Sequence, residues 1–198
     1  VTPRLLSRAE LPADTTSLAR YLLGKIVVRD APEGRTSGRI VETEAYLPGD
    51  AACHAFRGQT PRNRTLFRQH GHAYVYISYG MHRMLNVSAE DEGIGAGVLL
   101  RAVEPIEGID LMRTRRGVQA LADLARGPGR LAQAMGVTLG LDGTDLCAPG
   151  PLWLGDDGRA AGETGVSVRI GITKEADRPL RFYERGNRFV SGRKHVTL

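Results

Sequence analysis

The sequence predicts an α+β fold, a mainly antiparallel sheet with short flanking helices, on three observations. β-branched runs such as Lys25-Ile26-Val27-Val28-Arg29 recur between Gly and Pro turns. Helical spacing with caps is confined to short segments. Gly supplies 25 of the 198 residues, well above the usual share of about 7%, which favours many turns over a helical bundle. That length suits one sizeable core, so residues 1–198 are expected to form a single domain.

Taken in order, Asp14 followed by 15–24 reads as a capped helix, with a carboxylate acceptor at its start and Gly24 at its end. Residues 25–29 and 39–46 read as a hairpin with a loop of several residues, broken by Pro32, Gly34 and Gly38. Alternation along the second strand puts Ile40, Glu42, Glu44 and Tyr46 on one face. Segment 47–72 is polar and rich in Gly, His and Arg, and Thr60-Pro61 could open a short helix within it.

Tyr74-Val75-Tyr76-Ile77-Ser78-Tyr79 and Met84-Leu85-Asn86-Val87-Ser88 read as a second hairpin with its tip near Gly80. Residues 97–103 form a largely buried strand in which the charge of Arg101 needs a partner. Helices are expected from Pro105 to Arg116 and from Pro128 to Met135, the latter closed by Gly136. Short strands follow at 152–154, 166–172 and 180–183.

Lys and Arg outnumber Asp and Glu by 27 to 22, a modest excess compatible with a polyanionic partner. Two cysteines, Cys53 and Cys147, are too few for a secreted disulfide scaffold. The start, Val1-Thr2-Pro3-Arg4-Leu5-Leu6, lacks the apolar core of a signal peptide, and no run approaches the roughly 18 apolar residues of a membrane span. A cytoplasmic protein without membrane contact is expected.

The sequence holds no P-loop, dinucleotide fingerprint or Gly-x-Ser-x-Gly elbow, so no cofactor is expected. No metal is expected either. Cys53-His54 lacks the paired cysteines of a zinc deaminase, and His70-Gly71-His72 offers two ligands with no third or fourth nearby. Glu42 and Glu44 are the suggestive pair, since a strand carboxylate beside an aromatic ring can act as a general base or stabilise a cationic sugar. Paired glutamates on an exposed strand face are also commonplace. Tyr46, Tyr74, Tyr76 and Tyr79 offer flat faces for stacking a base, or ordinary strand packing. Arg57 to Arg64 is a basic run suited to phosphates or simply to solvent.

The blocks 38–46 (GRIVETEAY), 59–64 (QTPRNR), 74–81 (YVYISYGM) and 98–105 (VLLRAVEP), with weaker similarity at 178–183, resemble the alkyladenine, or 3-methyladenine, DNA glycosylases in order and spacing. The resemblance implies a curved sheet with a protruding β-hairpin, acting as a monomer on duplex DNA that contains damaged purines. It implies that Glu44 is the general base, activating the water that attacks C1′, with Arg101 holding that water or the carboxylate. Tyr46, His54 and Tyr76 would sandwich the flipped base, and Asn86 would reject guanine. Tyr79, with Met81 beside it, would wedge into the minor groove. Arg62 and Arg64 would contact the DNA backbone. The substrates it implies are 3-methyladenine, 7-methylguanine, hypoxanthine and ethenoadenine, excised without lyase chemistry since no Lys stands beside Glu44.

Departures accompany the likeness. Relative to animal members, the stretch from Tyr46 to His54 is one residue shorter, His82-Arg83 replaces bulky apolar neighbours at the hairpin, and a long N-terminal extension is lacking, which points to a compact bacterial form. A non-enzymatic nucleic-acid-binding module and a hydrolase of free nucleosides are the alternative readings of the same residues.

Overall fold

The computed structural model describes residues 2–192. Among the described residues nine strands form one antiparallel sheet: β1 (Arg4–Leu5), β2 (Ile26–Ala31), β3 (Gly34–Tyr46), β4 (Ala73–Ser78), β5 (His82–Ser88), β6 (Gly97–Glu107), β7 (Leu152–Asp156), β8 (Thr164–Ser167) and β9 (Arg181–Glu184). The order is β1-β7-β2-β3-β6-β5-β4, with β9 paired to both β3 and β8. Helices α1 (Thr15–Tyr21), α2 (Ile109–Arg116) and α3 (Pro128–Ala134) complete the α+β fold.

The 13-residue β3 is the spine of the sheet. Its first half runs between β2 and β6, and its second half between β9 and β6, so the sheet curls about this one strand. The main core lies on one side, where Ile40, Ala45, Val98, Leu100 and Val103 of the sheet meet Leu18 and Ala19 of α1 with Leu22 just beyond it, and Leu131 of α3 with Met135 just beyond it. The Asp14 carboxylate accepts from Ser17 N at 2.7 Å and caps α1 as expected, though α1 ends at Tyr21, short of Gly24. Among the described residues no helix is long and apolar enough to cross a membrane. Both cysteines are free thiols.

Several elements differ from the sequence expectation. The β2–β3 connection is a tight two-residue turn at Pro32-Glu33, because pairing continues to Ala31 and Gly34. No helix opens at Thr60-Pro61. Thr60 and Asn63 instead close a turn through Thr60 N to Asn63 Oδ1 at 2.6 Å, and a 3-10 turn follows at Arg64–Phe67. Strand β8 stops at Ser167, where Arg169 and Ile170 turn away to bond the end of β3.

The helix expected from Pro105 starts at Ile109, because β6 carries Pro105 and Ile106 through to Glu107. Gly108 makes the break, with φ +71 and its Cα packed so closely on β3 that an added Cβ would lie 2.2 Å from Arg35 O. Only glycine fits a left-handed residue against backbone. Gly108→Ala is therefore expected to destabilise the fold by about 2 kcal/mol or more, measured by urea unfolding; a loss under about 0.5 kcal/mol would contradict this.

Candidate active site

The site begins with an irregularity in the β3–β6 ladder. Ile40 pairs with Val103 and Glu42 with Ala102, leaving Val41 extra on β3; Thr43 then pairs with Leu100, leaving Arg101 extra on β6. Each bulge reverses the inward–outward alternation locally, and the second restores the register. Ile40 therefore points into the core, contrary to the expectation that it shares a face with Glu42, while Val41 packs with Ala102 and Phe189 on the opposite side. Thr43 remains inward, donating to Ala19 O at 2.8 Å. Glu42 and Glu44 are then free to meet Arg101 on the other face.

That meeting is part of a buried charge network. Glu42 Oε1 accepts from Arg101 Nε at 2.9 Å, Arg181 Nε at 2.6 Å and Ser191 Oγ at 2.9 Å, and its Oε2 accepts from Ser191 N at 2.6 Å. Glu44 Oε2 accepts from the Tyr46 hydroxyl at 2.9 Å, and its Oε1 accepts from Ile170 N at 2.7 Å and faces Arg101 Nη1 at 3.1 Å. Asp50 and Arg169 form a third, wholly buried pair, and Arg169 also donates to Ala45 O at 3.0 Å. Three carboxylates thus stand against three guanidiniums, the balance that buried charge requires. Burial alone would lower the Arg101 pKa, but Glu44 and Glu42 raise it above its ordinary value and hold the cation.

In front of the network lies a cavity of about 390 Å³, lined among others by Tyr46, His54, Tyr76, Asn86, Arg101 and Ile170. Glu44 has no exposed surface, yet its three partners Tyr46, Arg101 and Ile170 all line the cavity, so its carboxyl stands immediately behind the wall. All three partners are donors, the set that suits an ionised carboxylate, which only accepts.

The aromatic wall follows from strand alternation: Tyr74 and Tyr76 project to the cavity from β4 while Val75 enters the core. Their rings stack at 5.4 Å, and His54 meets Tyr76 edge-on at 4.4 Å. His54 Nδ1 and the Tyr74 hydroxyl are hydrogen-bonded at 2.9 Å. Burial raises the Tyr46 phenol, as does the neighbouring Glu44 charge; burial likewise raises Tyr74 and Tyr76 and lowers His54, with Arg62 adding to the last. The phenols of the wall are therefore uncharged at neutral pH. Asn86 Nδ2 donates to Tyr74 O at 3.1 Å, which fixes that side chain across the hairpin.

At the hairpin tip Tyr79 is 86% exposed and holds a positive φ of 49°, uncommon for a residue with a side chain. It lines the cavity mouth, whereas the exposed Met81 does not. Arg62 donates to Ile77 O at 3.3 Å and Arg64 is exposed. A second hollow of about 500 Å³ shares Cys53, His54 and Tyr74 and opens among Arg57, Arg62 and Lys174, with no carboxylate in its lining.

The sequence profile of the methylpurine-DNA glycosylase (MPG) family matches residues 9–188. The chain belongs to the methylpurine-DNA glycosylase family. It is 65% identical over 187 residues to a protein of Mesorhizobium japonicum named "Putative 3-methyladenine DNA glycosylase", covering 94% of this chain and 90% of that one. Proteins of the same name from Paraburkholderia phytofirmans and Rubrobacter xylanophilus are 54% and 52% identical, over 98% and 84% of this chain and 91% and 87% of theirs.

Of the residues singled out in the sequence of this glycosylase family member, Glu44, Arg101, Tyr46, His54, Tyr76, Asn86 and Tyr79 converge on the one cavity. Met81 and Arg64 lie outside its wall, and Arg62 borders the second hollow. The expectation that Arg101 needs a partner is met twice over, by Glu42 and Glu44. Sequence reasoning missed Asp50, Asn63, Arg169, Ile170 and Arg181. Asn63 is buried and ties the loop by donating to His54 O at 2.8 Å and Gly58 O at 3.0 Å. Arg169 carried the same readable signal as Arg101, a charge inside a β-branched run. Among the described residues no His, Cys, Asp and Glu cluster could hold a metal.

Because Glu42 neutralises both Arg101 and Arg181, Glu42→Gln is expected to cost about 3–5 kcal/mol of stability. Thermal and urea unfolding measure this, and a loss below about 1 kcal/mol would show that the network does not depend on Glu42.

Proposed function

We propose that this DNA glycosylase, a hydrolase of N-glycosyl compounds by family, everts alkylated or deaminated purines from duplex DNA and hydrolyses their glycosidic bond with water activated by Glu44. The observation that carries the reading is the anchored Glu44 carboxylate directly behind an aromatic cavity. The cavity lies within the roughly 300–1,000 Å³ of small-molecule sites. Its aromatic wall suits a flat base, with Tyr46 on one side and His54 and Tyr76 on the other. Asn86 meets the base edge, where the 2-amino group of guanine would clash, so 7-methylguanine, which keeps that group, fits less well than 3-methyladenine or hypoxanthine.

Eversion is assigned to Tyr79, supported by Met81, entering the stack in place of the lost base. Its exposure and strained backbone at the hairpin tip support that role. Arg62 and Arg64 contact the flanking phosphates. An ionised carboxylate offers about four acceptor sites; three of those on Glu44 are taken, and the remaining one, on Oε2, receives the attacking water. Water oxygen bonds to C1′, its proton passes to Glu44, and the electron pair of the breaking C1′–N bond leaves with the base. Glu44 also opposes the positive charge that develops on the sugar.

Bases alkylated at N3 or N7, such as 3-methyladenine and 7-methylguanine, are already cationic and leave readily, whereas hypoxanthine and ethenoadenine need a proton. Among the described residues no lysine lines the base cavity, which supports hydrolysis without lyase chemistry. The whole set lies on one chain, as a monomeric enzyme needs. Single-turnover excision of hypoxanthine and 3-methyladenine from a duplex tests the reading. Glu44→Gln is expected to lose at least about 100-fold in rate while still binding DNA, and chelator should change nothing. Near wild-type excision by a folded Glu44→Gln protein would overturn it.

A further inference from the structure

We infer that Arg169, held behind Tyr46, sets the preference of the site between cationic and neutral lesions. The inference rests on the proposed stacking of the everted base on Tyr46. The Arg169 guanidinium lies 4.7 Å from the Tyr46 ring centroid and is wholly buried. One face of the ring is thus occupied by a fixed cation, and the ring also lines the base cavity.

An aromatic face attracts a cation through its quadrupole. A cation already seated on the far face draws electron density away from the near one and repels any second positive charge there. A cationic base such as 7-methylguanine feels both effects, whereas neutral hypoxanthine feels neither strongly. Arg169 therefore tempers the advantage that charged lesions would otherwise have on an aromatic platform, and keeps neutral deaminated bases competitive.

Asp50 pairs with Arg169, and its placement decides whether the cation is felt. The Asp50 carboxylate is turned toward its own loop, where Oδ1 accepts from Ala52 N at 2.8 Å. Burial raises the Cys53 thiol to about 11, with Asp50 adding to the rise and Arg169 opposing it, so on that side the two charges offset each other. At Tyr46 burial and Glu44 raise the phenol, and Arg169 opposes them. The guanidinium also donates to Ala45 O at 3.0 Å and Glu175 O at 3.2 Å, which prevents it from leaving the ring.

The test compares single-turnover excision of cationic 3-methyladenine and neutral hypoxanthine, both of which lack a 2-amino group, in one duplex context. Loss of geometry slows both alike, so their ratio isolates the charge. Asp50→Asn/Arg169→Gln removes the pair together and leaves no buried lone ion; the ratio is expected to rise about fivefold, the factor one cation–π contact is worth. A ratio within twofold of wild type, or lower, overturns the inference. Asp50→Asn alone leaves the cation uncompensated and should lower the ratio, and this variant decides the matter if the double variant does not fold; an unchanged or higher ratio there overturns it. Full excision by Glu44→Gln would bring down the catalytic reading, whereas an inactive Glu44→Gln with an unmoved ratio would bring down only the role of Arg169.

Discussion

The structure depends on the burial of charge beside β3. Glu42, Glu44 and Asp50 have no exposed surface, and each is held by a guanidinium that is itself buried. Removing charge from water is tolerable only when every ion finds its partner at hydrogen-bond distance, so these six groups constrain one another strongly. The irregular ladder follows from that constraint. Alternation after Leu100 puts Arg101 on the face of Glu42 and Glu44, and the paired bulges at Val41 and Arg101 let Ile40 and Val103 return to the apolar core beyond it. Both strands lose one step of regular pairing, and the sheet gains an edge of curvature where the cavity forms.

The same network links three separate stretches of chain into one site. The end of β3 brings Glu44 and Tyr46, the turn after it brings Asp50 and then His54, and the segment after β8 brings Arg169 and Ile170. Glu42 ties in β9 through Arg181 and the C-terminal segment through Ser191. The cavity is consequently shaped by groups whose orientation is fixed by charge pairing, and not by loop packing alone. The hairpin tip at Tyr79 and Met81, by contrast, projects into solvent.

Much of this was legible in the sequence wherever a local rule sufficed. The Asp14 cap, the alternation that turns Tyr74 and Tyr76 to one side, the hairpin tip near Gly80 and the need of Arg101 for a partner are all local signals, and the family resemblance carried the candidate site residues. The face of Ile40, the strand character of Pro105 and Ile106, and the departure of Arg169 from β8 were not legible. Each is decided by a partner distant in sequence: the bulge opposite Val103, the close approach of Gly108 to Arg35, and the pull of Glu44, Ala45 and Asp50 on 169–170. Alternation assumes an unbroken ladder, and a bulge gives no single-residue signature.

The most direct measurement is a crystal structure of the Glu44→Gln protein with a duplex carrying hypoxanthine. The purine is expected everted into the cavity against Tyr46, its C1′ facing position 44, and Tyr79 in the vacated stack. A hypoxanthine still paired within the duplex, or a sugar held away from position 44, would contradict it.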